Sequence, residues 1–220
     1  MKYSLIIISA ILSFSILLNA QIDTTNLIRY DYSFSFNEGI YLNFDSFKSN
    51  NPIPFESLIS PAYTENGFYD KFDSIEFISY SGNYGNTVTI PLQDIWGYCK
   101  KGKPYIYWAD KFNLVPYVGS ITHFITTIKV YYSGYHDPYY DPYGHNPTSR
   151  TYQSDELRQY IIDMETGKIM DYNLSNIEIL LKRDPEVYND FMELRKRKRS
   201  KQMFYYVGIY NEKNPLYLPK

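Results

Sequence analysis

Between residues 72 and 132 the chain is a succession of short apolar and aromatic runs cut by turn residues. The runs are FDSIEFISY, NTVTIPL, DIWGYCKKGKPYIYW, KFNLVPYVG and SITHFITTIKVYY. The cuts are SGNYGN at 81–86, KKGK at 100–103, Ala109-Asp110, and VGS at 118–120. Loops this short return a strand antiparallel to its predecessor, whereas parallel neighbours need a long crossover. The block therefore restricts the fold to an antiparallel meander. Its last run is apolar on both faces. Thr122, Phe124, Thr126, Ile128 and Val130 share one face; Ile121, His123, Ile125, Thr127 and Lys129 share the other. That pattern predicts a central strand.

The flanks extend the β-pattern. Tyr30, Tyr32, Phe34 and Phe36 alternate with polar residues, as in an extended segment, and Ile40 to Phe44 reads as a strand. Asp45 is placed to cap a short helix over SFKSN, which Asn51-Pro52 and Pro54 would end. Further on, ELRQYIIDM and GKIMDYN flank Glu165-Thr166-Gly167 and predict a second hairpin on the same sheet, with Gly167 supplying a positive φ. Tyrosine, at 26 of 220 residues, suits such structure because it buries a ring and keeps a hydroxyl near water.

The C-terminal part is helical. Leu174, Ile177 and Leu181 repeat at helical spacing, and Asp184-Pro185 restarts a helix with a cap and a first-turn proline. That second helix is expected to run unbroken to about Lys213, before Asn214-Pro215. It carries one stripe of Val187, Phe191 and Leu194 and another of Met203, Tyr206, Val207 and Tyr210. Glu193 and Arg197 would form an i,i+4 ion pair. Gly208, costing about 1 kcal/mol relative to Ala inside a helix, reads as a site of close packing. The expected fold is α+β: one domain over 21–220, with an antiparallel, partly curled sheet of about six to nine strands over 30–172. Two helices follow over 173–213, the last one long.

The first residues, MKYSLIIISAILSFSILLNAQ, have a cationic start, a short apolar run and a small residue at Ala20. This predicts a secretory signal peptide cleaved near Ala20-Gln21, and hence an exported chain: periplasmic, outer-membrane-associated or secreted. Gln21 stands where lipoprotein signals place Cys, so that anchor is not expected. No later run reaches membrane-spanning length, and the single Cys99 allows no internal disulfide. A net charge of −2 is no nucleic-acid profile. The charge is uneven, since RKRKRSK at 195–201 holds six cations (Arg195, Lys196, Arg197, Lys198, Arg199 and Lys201) in an otherwise acidic chain. The run suits an anionic surface, or else the solvated middle of a long helix.

Chemistry-bearing motifs are few. His136, Asp141 and His145 are metal-ligand types in the loop SGYHDPYYDPYGHNPTSR, but Pro138 and Pro142 break the helix that would gather them. A calcium loop starting at Asp137 fails too, with Pro142 at its glycine position and Thr148 at its glutamate position. Two Asp-Pro pairs make successive turns and leave Tyr135, Tyr139, Tyr140 and Tyr143 as a contact surface. Cys99 and His123 are the one pairing in the sheet that suits a thiol nucleophile and base; a buried structural Cys is the simpler reading. Trp96, Tyr98, Tyr105, Tyr107 and Trp108 suit either a glycan platform or a core. No phosphate loop, dinucleotide fingerprint, nucleophile elbow or zinc-protease motif is present, so no cofactor is implied.

Three stretches carry a resemblance: GIYLNFDSFKSNNPIP (39–54), DIWGYCKKGKPYIYWADKFNLVPYVGSITHF (94–124) and KRDPEVYNDFMELRKRKRSKQMFYYVGIYNEKNPLY (182–217). Their order resembles secreted proteins of Bacteroidota that carry domains of unknown function. The resemblance implies a signal peptide and an envelope location, and assigns no catalytic residue. The reading reached is a non-catalytic envelope or secreted module that contacts a protein or glycan partner. The alternatives are a hydrolase built on Cys99/His123 or on the 136–145 loop, and a binder of anionic membrane surfaces through 195–201.

Overall fold

A computed structural model describes residues 26–59, 72, 75–82, 84–133 and 151–220 of the chain. The stretch expected to be a signal peptide lies outside the described residues. So does the tyrosine loop, with Tyr135, His136, Tyr139, Tyr140, Asp141, Tyr143 and His145.

The strands are β1 (Leu27–Arg29), β2 (Gly39–Tyr41), β3 (Phe77–Ser81), β4 (Thr87–Pro91), β5 (Gly97–Lys100), β6 (Lys103–Trp108), β7 (Lys111–Leu114), β8 (Ile121–Ser133), β9 (Thr151–Asp163), β10 (Ile169–Asp171) and β11 (Tyr217–Pro219). The helices are α1 (Phe44–Lys48), α2 (Leu174–Leu181), α3 (Pro185–Glu193) and α4 (Lys196–Lys213). All strand pairs are antiparallel, so the α+β expectation holds. The single sheet does not. The described strands form four ladders, ordered β2-β5-β6-β7, β10-β9-β8, β3-β4 and β1-β11, and none closes into a barrel.

Two tight hairpins explain the regularity of the four-stranded sheet. Lys101 and Gly102 (φ 52° and 72°) join β5 to β6, and Ala109 and Asp110 (φ 54° and 60°) join β6 to β7. Two successive positive φ angles match the twist of the paired strands. Upstream, Asp31 interrupts the alternation at 30–36. Its Oδ1 accepts from the Ser33 N–H at 2.7 Å, which folds the chain into a turn and leaves Tyr32 in solvent. Helix α1 starts two residues earlier than expected: Asn43, not Asp45, is the cap, and it exchanges reciprocal hydrogen bonds with Ser46.

Strand β8 is an edge strand, not a central one. At its start its two faces enter two different cores, while farther along Ile125 is exposed. Phe124 packs with Phe36, Tyr41, Phe47 and Ile106, whereas Ile121 packs with Ile161 and the helices through Ile177, Leu181, Phe191 and Val207. Burial on both faces thus reflects layers above and below the strand, and says nothing about hydrogen-bonded neighbours. A third core under β3 and β4 gathers Ile40, Phe55, Phe72, Ile78 and Tyr98.

The long last helix is two helices. Leu194 and Arg195 have extended ψ values of 141° and 145°, which separates α3 from α4. The cause is phase. Counted at 3.6 residues per turn, the Val187-Phe191-Leu194 stripe and the Met203-Tyr206-Val207-Tyr210 stripe fall on opposite sides of one straight helix. The break lets both reach the second core. It also abolishes the expected Glu193–Arg197 pair; Arg199 turns inward to Glu178 at 3.4 Å instead. A fork–fork pair between an exposed Arg183 and a buried Asp163 ties the helices to the sheet: Arg183 Nη1 and Nη2 donate to the two oxygens of Asp163 at 2.7 Å each.

Candidate functional site

Helix α4 docks on the start of β8 through Asn211. The Ile121 N–H donates to Asn211 Oδ1 at 2.8 Å, and Asn211 Nδ2 donates to the Ile121 carbonyl at 2.9 Å. A buried side-chain amide thereby satisfies the open edge of β8 where no strand does. The approach is close. A Cβ on Gly119 would sit 2.4 Å from Asn211 Nδ2, so only glycine fits there.

One turn earlier along α4 the packing opens. A cleft of about 400 Å³ lies between α4, β8 and the Pro116-Tyr117 segment. Tyr117 and Phe204 wall it, Ile121 and Val207 form its floor, and His123 and Glu212 supply polar edges. His123 is held: its Nε2 pairs with Gln159 Oε1 at 3.0 Å, and its ring meets Tyr172 and Phe204 edge-on at 4.9 and 5.6 Å. Burial pushes the Tyr172 hydroxyl up to about 12, so it remains protonated. Gly208 also lines the cleft, and a Cβ there would meet nothing within 4 Å. The close packing expected at Gly208 belongs to Gly119 instead. At Gly208 the absence of a side chain leaves one wall of the cleft open.

A second cleft of about 490 Å³ adjoins the first across Pro116 and Tyr117, which line both. It presents Tyr30, Tyr32 and Phe34 beside Lys101 and Lys103. Tyr30 and Tyr117 meet edge-on at 6.4 Å, so rings continue from one cleft to the other.

The structure does not bring Cys99 and His123 together. Cys99 is fully buried in the first core and its thiol donates to the Phe36 carbonyl at 3.5 Å, while His123 is occupied by Gln159. Burial, with a smaller contribution from the Glu38 charge, pushes the Cys99 thiol up to about 12. That is opposite to what a nucleophile needs. The aromatic run 96–108 builds core. Tyr98 stacks on Tyr105 with centroids 4.8 Å apart, and Trp96 stacks on Phe47 at 4.0 Å. Among the described residues no three His, Cys, Asp or Glu side chains converge as metal ligands. The cations Arg195, Lys196, Arg197, Lys198 and Lys201 lie exposed at the start of α4, which has no side-chain cap and no acidic residue in its first turn. Cations at a helix N-terminus oppose the macrodipole, so this arrangement carries an electrostatic cost.

The sequence pointed to Gly208 and His123 but to neither Tyr117 nor Phe204. The unused signal was a mid-helix glycine whose neighbours at 204 and 212 lie on the side away from the buried stripe. No family model, no curated protein and no solved structure matches this chain.

Proposed function

We propose that this protein is a non-catalytic binding module, exported by its leader, that takes a ring-bearing part of a protein or glycan partner into the cleft beside Gly208. Gly208 carries the reading. A glycine inside α4 costs about 1 kcal/mol relative to Ala, and no packed neighbour explains it. It keeps one wall of an apolar cleft open beside two exposed rings, Tyr117 and Phe204. A mostly apolar pocket with a few oriented polar groups is the general form of a small binding site. The walls favour an apolar or aromatic anchor side chain of a protein partner. The adjoining cleft, with tyrosines beside two lysines, suits the hydroxyls and acidic groups of a glycan.

The test is calorimetric titration with two probe sets, acetylated aromatic amino-acid amides and phenyl glycosides. Saturable binding that Tyr117→Ala weakens at least about tenfold supports the reading. Binding of neither set, or binding indifferent to Tyr117→Ala, contradicts it.

A further inference from the structure

We propose that the first half of α4 is a docking surface for an anionic phospholipid bilayer. Arg195, Lys196, Arg197, Lys198 and Lys201 are exposed, and none makes an ion pair with a described residue. Only Arg199 of the run serves the fold, through Glu178 and the Met192 sulfur. Five cations are thus left facing water on an otherwise acidic chain, and such an isolated patch orients the molecule cation-first toward a negative surface.

The aromatic residues make a bilayer the best-fitting surface. Positions 197, 201, 204, 205 and 208 recur at three- and four-residue spacing, so Arg197, Lys201, Phe204 and Tyr205 share the outward face of α4. Phe204 is 64 % exposed and Tyr205 63 % exposed. Rings of this kind enter the boundary between headgroups and acyl chains, while neighbouring cations stay with the lipid phosphates. The proposed contact is that of a helix lying along the surface; no helix of the described residues is long and apolar enough to cross a membrane.

The experiment is co-sedimentation of the purified protein with phosphatidylcholine vesicles, with and without about one-third phosphatidylglycerol. The anionic vesicles should bind at least about tenfold more tightly, with affinity falling steeply between low and physiological salt. Replacing Lys196, Arg197, Lys198 and Lys201 together by Gln should remove that preference. Tyr205→Ala should weaken binding several-fold and leave the salt dependence unchanged. A melting curve run alongside verifies that each variant is folded, and Lys198→Glu serves as a second, single-site variant expected to weaken binding in the same direction. Equal binding to neutral and anionic vesicles overturns the proposal, as does a quadruple variant that binds like the wild type. Tighter binding of a DNA oligonucleotide or a polyglutamate peptide than of anionic vesicles at equal salt overturns it too.

Discussion

From Tyr206 to Asn211, α4 buries Tyr206, Val207, Tyr210 and Asn211; from Lys196 to Lys201 it buries no residue completely. The two halves share one helix and differ in what determines their sequence. In the C-terminal half, burial and the amide ladder to Ile121 specify each inward residue. In the N-terminal half, helix formation would favour acidic residues near the first turn, and cations stand there instead. Residues that disagree with the local rules of folding are where function is to be sought. By that criterion α4 has two such places, the cationic start and Gly208, and both face outward or into the cleft.

The contrast can be broken at its strongest point with Asn211→Ala. This change leaves the Ile121 N–H and carbonyl buried without partners, and should cost about 2–4 kcal/mol in a denaturant titration. Asp163→Ala leaves Arg183 with only Glu165 and takes the acceptor from the Thr166 hydroxyl and the Glu165 N–H, and should cost about 1–3 kcal/mol near neutral pH. Burial alone would raise the Asp163 carboxyl. The hydrogen bonds from Arg183, Thr166 and the Glu165 N–H outweigh burial and hold it below its ordinary value. A depressed carboxyl contributes stability that is fully present above the unfolded value of about 4 and is lost as pH falls through the folded value. Wild-type stability should therefore fall more steeply below about pH 4 than that of Asp163→Ala, as read from urea midpoints across pH. At the weak end, the quadruple Gln variant of the cationic start should stay within about 0.5 kcal/mol of the wild type in the same titration. A loss of several kcal/mol there would show that the two halves are not separable.

Much of this fold is legible in the sequence because its signals are local. Lys101-Gly102 and Ala109-Asp110 mark turns between runs of strand length, and the β5–β6 and β6–β7 hairpins fall where those signals place them, as the β9–β10 hairpin does at Gly167. What was illegible depends on partners distant in sequence. Phe124 and Ile121 read alike as apolar, and only the packing of two separate cores shows why β8 is double-faced yet lies at an edge. The break at Leu194 was present as a phase mismatch between two apolar stripes, a signal that the pull of one continuous helical run conceals. The cleft joins Pro116 and Tyr117 to residues 204–212, a contact that no local pattern encodes.

On the proposed reading Gly208 serves the cleft and not the fold. Paired measurements on Gly208→Ala and Gly208→Leu test it most directly. The alanine meets nothing and removes the helix penalty, so it should raise stability by about 0.5–1 kcal/mol. The leucine should fold at least as well as the wild type and, by filling the cleft, abolish binding of whichever aromatic probe the wild type holds. Destabilisation by alanine, or undiminished probe binding by the leucine variant, would contradict the account.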